Sequence, residues 1–242
     1  KIEDIENKTF LENEEYDDIL TSSIVFINLE DTTANNVIVE CIQYSTPILV
    51  NKHPAVIEYL GEEYPFYYET QEEANKKIDD VKLILETHSY LIKLDKDNIY
   101  INNFIRELSN INLNIVNYTI GNQYNENYGN HRSGWKYVLS KINENCNKSL
   151  IQKNNNIYLD TFLEKTFIWD KNYKTNKYTK PWCMIQHNPP NIPKWFKYEQ
   201  SFKSITQNDN FIRSVPFLKK IITLSDYNAK YLRNHRLVKT YN

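Results

Sequence analysis

The fold is decided by one stretch of the sequence, SIVFINLEDTTANNVIVECIQYSTPILVN, which spans residues 23–51. Its two ends, SIVFINL (23–29) and TPILVN (46–51), are short, rich in β-branched residues and almost continuously apolar, as strands buried on both faces are. The segment between them has the length of a helix, and Asn35 is placed to cap its start. Strand, helix and strand in this order predict a βαβ unit of a parallel sheet.

The loops that follow the two predicted strands carry the first candidate binding residues, because ligands of parallel α/β sheets bind beyond the carboxyl ends of the strands. The backbone amides of Asn36 and its neighbours are expected at the positive end of the helix, where a diphosphate binds without a metal. Glu40 lies about one and a half turns further along. Its carboxylate could accept hydrogen bonds from the vicinal hydroxyls of a ribose. The pattern alone fits an ordinary exposed residue of an amphipathic helix equally well.

The rest of the chain also predicts alternating strands and helices. AVIEYLG (55–61) predicts a short helix stopped by Gly61, and residues 69–94 predict one long amphipathic helix with an acidic first turn. A boundary is expected at GNQYNENYG (121–129). Beyond it, helices are predicted at SGWKYVLSKINENC (133–146), YLDTFLEKTFIWD (158–170) and SDYNAKYLRNHRL (225–237), and buried strands at PWCMIQH (181–187) and KKIITLS (219–225).

The composition of the 242-residue chain excludes several function classes. The formal charge of −2 and the sequence pI near 6.3 give no basic field for nucleic acid, which is therefore excluded as the main partner. Cys41, Cys146 and Cys183 are far apart and lack C-x-x-C spacing, which favours neither a disulfide framework nor a zinc site. No apolar run approaches the roughly 18 residues that cross a bilayer, and the first residues lack the layout of a signal peptide. We therefore expect a soluble, cytoplasmic protein without a membrane span.

The residues around Glu40 resemble a known family. ANNVIVECIQYSTPILV, followed by VIEYLG, resembles the nucleotide-sugar end of GT-B glycosyltransferases, specifically the family-four-like retaining enzymes of large DNA viruses and some bacteria. The resemblance implies that Glu40 holds the donor ribose and that Asn35 and Asn36 lie beside the donor phosphates. The family usually has a second glutamate eight residues before the first, where this chain has Thr32. Contacts to the donor sugar would then fall to Asp31 or to the backbone.

The second half of the chain extends the resemblance through HRSGWKYVLSKI, YLDTFLEKTFIWD, KPWCMIQHNPPNIPKWF and KKIITLSDYNAKYLR, which look like the acceptor-side domain of the same group. By that likeness Ser133 and Gly134 face the cleft, and His187 lies near the reacting sugar. A neutral imidazole there can orient a hydroxyl or assist proton transfer. Without the likeness, His187 is an ordinary loop histidine. Trp182 and Trp195 either stack on sugar faces or pack in the core.

Two carboxylates of the second half have no assigned role. Asp160 and Glu164 are spaced i, i+4 on a predicted helix. Burial of both would raise a carboxylate pKa, but we expect them to be solvated beside Lys165.

The resemblance implies a Rossmann-like, GT-B-like α/β fold with parallel sheets flanked by helices, in an inverted order. Residues 1–120 correspond to the C-terminal part of a donor domain with a crossing helix, and residues 121–242 to the acceptor-side domain. The front of the donor domain, where cationic residues neutralise the leaving diphosphate, has no counterpart, and Lys52 and His53 could supply some charge. The chain is then a piece of a larger enzyme, a permuted arrangement or a degenerate remnant. If the chain is a piece of a larger enzyme, a further domain or a partner chain would complete its cleft.

The implied function is transfer of a sugar from a nucleoside-diphosphate donor with retention of configuration and with neither metal nor cofactor, to a glycan, protein or lipid acceptor. Two alternatives stay open. Asp95 and Asp97, in YLIKLDKDNIY (90–100), match the metal-binding D-x-D of GT-A enzymes, although a turn explains the same residues. The other alternative is a non-catalytic module that binds a sugar or a protein through Tyr and Trp side chains.

Overall fold

The computed structural model describes residue 8 and residues 10–110, 117–120, 134–148, 156–169 and 178–235. The contacts between Cα atoms divide the chain into two compact units. Unit 1 combines Lys1–Leu29, Val37–Lys52 and Leu60–Lys96, and unit 2 combines Glu30–Asn36, His53–Tyr59 and Asp97–Asn242. Within the described ranges, the strands of each unit form a parallel sheet. The predicted boundary at 121–129 lies outside the described residues, so the proposed division at residue 120 stays a prediction.

The first half of the chain alternates helices and short strands. In chain order the elements are α1 (Asn13–Ser22), β1 (Val25–Ile27), α2 (Asn36–Tyr44), β2 (Ile48–Asn51), α3 (Pro54–Leu60), β3 (Tyr67–Tyr68), α4 (Gln71–Lys77) and α5 (Val81–Lys93). The strands form a sheet in the order β1-β2-β3, and both strand pairs are parallel. The predicted unit of strand, helix and adjacent parallel strand is therefore confirmed.

The two strands of that unit differ in burial. Ile48, Leu49 and Val50 of β2 are fully buried, as the apolar run predicts. In β1 the Phe26 side chain is 45% exposed, although its ring stacks on Tyr68 at 5.6 Å. Burial on both faces is thus confirmed for β2 and wrong for β1. The reason is position, because β2 is the central strand of the sheet and β1 is at its edge.

Backbone conformation at positive φ ends both α2 and α3. Ser45, with a φ of 59°, follows α2, and the next amide, that of Thr46, donates to the carbonyl of Cys41 at 2.8 Å. This arrangement satisfies a terminal helix carbonyl and normally favours glycine. Gly61, with a φ of 81°, follows α3, so its predicted role as a helix stop is confirmed. A Cβ at Gly61 would also meet the Tyr90 hydroxyl at 2.8 Å.

The long helix predicted over residues 69–94 is wrong, because the chain forms two helices there. Asp80 accepts a hydrogen bond from the Leu83 amide at 3.0 Å and caps α5. This local bond competes with continuation of α4 and starts a second helix. The acidic first turn is confirmed, since Glu72 and Glu73 follow the Thr70 cap of α4.

The second half of the chain contributes a four-stranded sheet. In chain order the elements are α6 (Ile101–Asn110), β4 (Asn117–Ile120), α7 (Trp135–Lys148), β5 (Asn156–Asp160), β6 (Trp182–Gln186), α8 (Phe202–Ile205), α9 (Asp209–Ser214), β7 (Leu218–Thr223) and α10 (Asp226–Asn234). The strand order is β4-β5-β6-β7, and the three strand pairs are parallel. The helix predicted at 133–146, the strands predicted at 181–187 and 219–225, and the final helix capped by Ser225 are confirmed.

The helix predicted over 158–170 is wrong in its first part. Residues 156–160 form β5, which pairs with strands on both sides, for example Tyr158 with Trp182. The carboxylate of Asp160 then accepts a hydrogen bond from the Phe162 amide at 2.8 Å, and irregular helical turns follow as far as Trp169. Pairing on both edges of the strand outweighs the helical spacing of its apolar residues.

The core of unit 2 lies on both faces of its sheet, and β6 contributes to both faces. Trp182 and Met184 pack with Phe167, Phe202 and Phe211. Cys183 and Ile185 pack instead with Leu139 and Ile142 of α7 and with Leu159 and Ile222 of the neighbouring strands. Side chains of a strand alternate in direction, so β6 is buried on both faces, as its continuous apolar run predicts.

Together the two parallel sheets with their flanking helices make a mixed α/β architecture that is compatible with a Rossmann-like fold. No helix within the described ranges is long and apolar enough to cross a membrane.

Candidate ligand-binding site

Glu40 lies on α2, at the place that the sequence predicts. The helix begins at Asn36, directly after Asn35, and it connects the adjacent parallel strands β1 and β2. The Glu40 carboxylate is half-buried and accepts a hydrogen bond from the Tyr16 hydroxyl at 2.8 Å. Tyr16 belongs to α1, a helix that the sequence reading missed. This bond orients the carboxylate on the surface of unit 1.

Lys52 follows β2, where its ammonium group was expected to supply positive charge. Its Nζ atom lies 2.9 Å from the Glu62 carboxylate and 5.8 Å from the centre of the Tyr67 ring. The hydrogen bond to Glu62 raises the pKa of Lys52, so the side chain stays charged. That charge is compensated by Glu62 rather than left for an anionic ligand.

Asp31, the predicted substitute for the absent glutamate, is a buried member of unit 2. Its side chain is 2% exposed and accepts hydrogen bonds from His53 Nε2 at 3.0 Å and from the Asn191 amide at 2.7 Å. Burial alone would raise the pKa of Asp31, but the hydrogen bonds that it accepts, chiefly those from His53 and Asn191, lower it below its ordinary value of 3.8. A sugar hydroxyl would have to replace one of these donors.

His53 is held in one tautomer. Its Nδ1 atom accepts a hydrogen bond from the Ala55 amide at 3.2 Å, so the ring proton lies on Nε2 and points at Asp31. The ring of Tyr227 meets the imidazole edge-on, with centroids 4.9 Å apart. Burial and the nearby Asp31 carboxylate raise the pKa of the Tyr227 hydroxyl to about 12. Tyr227 is therefore a hydrogen-bond donor at neutral pH.

Glu58 binds the start of α10 in the same unit. Its two carboxylate oxygens accept hydrogen bonds from the amides of Asp226 and Tyr227, at 2.8 and 2.7 Å. These are the first residues of α10, where the helix dipole favours a negative charge. Asp31 and Glu58 thus satisfy backbone donors of unit 2 with carboxylates from the segments Glu30–Asn36 and His53–Tyr59.

His187 follows β6 directly, as predicted. Its Nε2 atom lies 3.4 Å from Oε1 of Glu164, and its backbone carbonyl accepts a hydrogen bond from the Thr33 hydroxyl. Its ring is adjacent to those of Phe162 and Trp135, at centroid distances of 5.8 and 6.4 Å. The side chain is partly exposed, so a ligand can reach it.

Glu164 was expected to be solvated, and this prediction is wrong. Its side chain and that of Asp160 are buried, and Asp160 accepts a hydrogen bond from the Tyr178 hydroxyl at 2.7 Å. Burial alone would raise the pKa of Glu164, but the hydrogen bond and the electrostatic attraction to His187 lower it. Glu164 is therefore a buried carboxylate, held in its ionised form, that faces Nε2 of the His187 ring.

The acceptor-side predictions also include Ser133, Gly134 and Trp182. Gly134 has a φ of 65° and precedes α7, whereas Ser133 lies outside the described residues. Trp182 packs in the core and does not present its ring to a sugar. The ring is fully buried, and its Nε1 donates to the Ser214 carbonyl at 2.8 Å. Trp195 is 76% exposed and meets Phe196 edge-on.

Asp95 and Asp97, the candidates for metal binding, border a turn. Both side chains are exposed, and Asp97 begins a single 3-10 turn that ends at Ile99. This is the local structure that the turn interpretation predicts. No cluster of three or more His, Cys, Asp or Glu side chains suited to a metal ion occurs in the described part of the chain.

Comparison with known proteins gives no match to a family model, to a curated protein or to a solved structure.

Proposed function

We propose that this chain is a glycosyltransferase of the GT-B type, or part of one, which transfers a sugar from a nucleoside-diphosphate sugar to an acceptor. The observation that carries the proposal is the position of Glu40. It is a half-buried acid on a helix that connects two adjacent parallel strands and begins at the carboxyl edge of their sheet. Parallel α/β sheets bind nucleotides at that edge.

In the proposal the donor nucleotide binds along α2. The Glu40 carboxylate accepts hydrogen bonds from the ribose hydroxyls, and the diphosphate lies beside Asn35 and Asn36 at the positive end of the helix. The ribose shares the carboxylate with the hydroxyl of Tyr16, whose 2.8 Å hydrogen bond supports this orientation. A carboxylate that is already oriented loses less entropy on binding.

The chemistry that we propose needs no side-chain nucleophile and no metal. Sugar transfer builds positive charge on the sugar and negative charge on the departing diphosphate, so dipoles and cations near the phosphates provide the main stabilisation. On the acceptor side, His187 orients or accepts a proton from a hydroxyl, and Glu164 stabilises the imidazolium that results. In the proposal the donor-like half precedes the acceptor-like half, which is the reverse of the GT-B order.

One alternative is a sugar-binding module that does not turn over its ligand. The ion pair between Lys52 and Glu62 favours it, because the charge of a cation that was expected to face the phosphates is already compensated. The hydrogen bonds that Asp31 accepts within unit 2 favour it as well. Binding of a donor without release of its nucleoside diphosphate would establish this alternative.

The proposal is tested with the full chain and a set of uridine, guanosine, adenosine and thymidine diphosphate sugars. At a ligand concentration about 100 times Kd, binding stabilises the folded state by roughly 2.7 kcal/mol, which raises the melting temperature by several degrees. We expect one donor to give this shift, and Glu40→Gln to weaken its Kd at least about tenfold, because a charge-assisted hydrogen bond is lost. The matched control is Glu72→Gln, an exposed acid on a different helix, α4.

Two results would contradict the proposal. The first is the absence of a shift with every donor, and the second is an equal shift in the wild type and in Glu40→Gln. A shift that requires Mn²⁺ and is lost in Asp95→Asn or Asp97→Asn would instead establish a metal-dependent GT-A mechanism. Release of nucleoside diphosphate, followed over time, separates turnover from binding alone.

A further inference from the structure

Buried polar atoms without a protein hydrogen-bond partner gather at the carboxyl edge of the sheet in unit 2. In four side chains, whose exposed fractions are 0–7%, an oxygen finds no partner within the described residues. One ring nitrogen of His187 is also buried and has no hydrogen-bond partner among those residues. The atoms are Glu164 Oε2, Gln186 Oε1, His187 Nδ1, Asn188 Oδ1 and Asn228 Oδ1. We call these five side chains the acceptor cluster, where acceptor refers to hydrogen bonds and not to the acceptor of the sugar transfer.

Direct contacts connect most of the cluster. Gln186 Nε2 donates to the Asn188 carbonyl at 3.2 Å, and Asn228 Nδ2 donates to the Gln186 carbonyl at 3.2 Å. His187 lies 3.4 Å from Glu164. Gln186, His187 and Asn188 are consecutive at the end of β6, and Asn228 belongs to the first turn of α10. The unpaired atoms therefore share one region instead of being scattered through the core.

The same contacts determine which end of each amide is unpaired. The NH₂ groups of Gln186 and Asn228 donate to backbone carbonyls, and Asn188 Nδ2 donates to the Gln200 carbonyl at 3.0 Å. Turning any of these amides would place a carbonyl oxygen against another carbonyl oxygen. The unpaired atoms are therefore the amide oxygens, which only accept hydrogen bonds.

The remaining two members are acceptors as well. The lowered pKa of Glu164 keeps its carboxyl group ionised at neutral pH, so its second oxygen carries negative charge. When the His187 proton lies on Nε2, facing Glu164, the Nδ1 atom presents a lone pair. The cluster thus consists of lone pairs with one full negative charge.

Five buried acceptors without donors are costly, and native proteins normally pair such groups with ordered water, an ion or a ligand. We propose that the acceptor cluster binds a non-anionic sugar, whose hydroxyl or amino groups donate hydrogen bonds to these atoms. A uronate or a sugar phosphate would bring its negative charge against Glu164 and against the amide oxygens. This inference names the class of substrate that binds on the acceptor side. The transfer of a sugar to that substrate rests on the proposed function, but the binding of the substrate does not.

The rings beside His187 suit the same ligand. Phe162 and Trp135 lie next to the imidazole, and a pyranose presents an apolar C–H face beside its hydroxyl groups. Hydrogen-bond acceptors next to aromatic rings match these two sides of a sugar. A bare cation would use the oxygens but not the rings.

The experiment measures sugar binding to the full chain by NMR. The reporters are the side-chain amide signals of Gln186, Asn188 and Asn228, assigned beforehand. The probes are the methyl glycosides of the neutral sugar, the amino sugar and the uronic acid, each in the gluco, galacto and manno configurations. We expect a neutral or amino sugar to shift these signals and the matching uronate to bind at least tenfold more weakly.

A substitution then tests the role of the charge. Glu164→Gln keeps the shape of the side chain and removes its negative charge. We expect it to weaken binding of the amino sugar at least tenfold and to reduce the discrimination against the uronate. Glu199→Gln, an exposed acid of the same unit, should leave both unchanged. The comparison of probes on the wild type remains decisive if the variant does not fold.

Three outcomes would overturn the inference: a uronate that binds as tightly as its neutral form, no shift of the amide signals with any sugar, or a response to Ca²⁺ or K⁺ alone. These outcomes are separable from failure of the proposed function. Sugar binding without nucleotide-sugar binding would refute the glycosyltransferase and leave the inference standing. Turnover of a nucleotide sugar without a shift of the side-chain amide signals would support the glycosyltransferase and refute the inference about the acceptor cluster.

Discussion

His53 Nε2 lies 3.0 Å from Oδ1 of Asp31, and this pair is almost completely buried. The other ring nitrogen of His53 accepts a hydrogen bond from the Ala55 amide, so the tautomer of the ring is fixed by the backbone. Asp31 also accepts from the Asn191 amide at 2.7 Å. Replacement of either partner would leave a buried polar group without its counterpart.

Asp31→Asn is therefore expected to destabilise the protein. An amide in place of the carboxylate can accept at one oxygen only, so at least one buried donor loses its partner. At pH 7 we expect the free energy of unfolding to fall by about 1–3 kcal/mol. Chemical denaturation of both proteins measures the difference, and Asp79→Asn, at an exposed position, is the control.

The stabilisation by Asp31 should also depend on pH in a defined direction. The folded protein lowers the pKa of Asp31 below its ordinary value of 3.8, so the folded state favours the ionised form. The contribution is fully present above pH 3.8 and is lost as the pH falls through the lowered pKa. The stability difference between wild type and Asp31→Asn should therefore shrink as the pH is lowered below that range. A difference that grows on acidification would disprove the assignment.

Ser45→Gly is expected to stabilise the protein. Ser45 has a φ of 59°, which costs a residue with a Cβ more than it costs glycine, and the site is the C-terminal end of α2. The gain should be about 0.5–1 kcal/mol in the free energy of unfolding, reduced by the greater freedom of glycine in the unfolded chain. Ser45→Ala keeps the Cβ and should bring no gain. Equal effects of the two substitutions would show that the serine hydroxyl, rather than the backbone, is decisive.

Glu58→Gln tests the carboxylate at the start of α10. The glutamine keeps one acceptor oxygen but turns an NH₂ group toward the second backbone amide, and it removes the charge that the helix dipole favours. We expect a loss of about 1 kcal/mol, which becomes smaller at high salt because part of the effect is electrostatic. Thermal unfolding at low and high ionic strength measures both quantities. An unchanged stability would mean that water replaces the carboxylate without cost.

The sequence predicted the βαβ unit because its signals agree. Residues 46–51 are apolar throughout, the helix between the strands has a plausible start at Asn35, and neighbouring strands of this kind pair in parallel. The signals conflict at residues 158–170, where helical spacing of apolar side chains coincides with a segment that pairs on both edges. Helix α1 was missed because its sequence, NEEYDDILTS, is mostly polar and its burial is nearly confined to Leu20.

The candidate site was harder to predict than the fold. His187 was proposed through the family resemblance, at the end of a clear strand, and the same position in the sequence could have pointed to Gln186 and Asn188. Asn228 could not, since the chain is rich in asparagine and only the folded structure brings this residue to the Gln186 carbonyl. The burial of Glu164 likewise depends on the β-strand that the sequence analysis assigned as a helix.

The alternation of β6 between two cores has a consequence for ligand recognition. Trp182 is fixed at one end of the strand by its indole hydrogen bond to Ser214, and Gln186 lies four residues later, about 13 Å along an extended chain. A shift of one residue would exchange the occupants of the two apolar layers, so the strand has a single stable register. Changes in the aromatic interior should therefore act on the position of Gln186 and, through it, on the binding that we propose for the acceptor cluster.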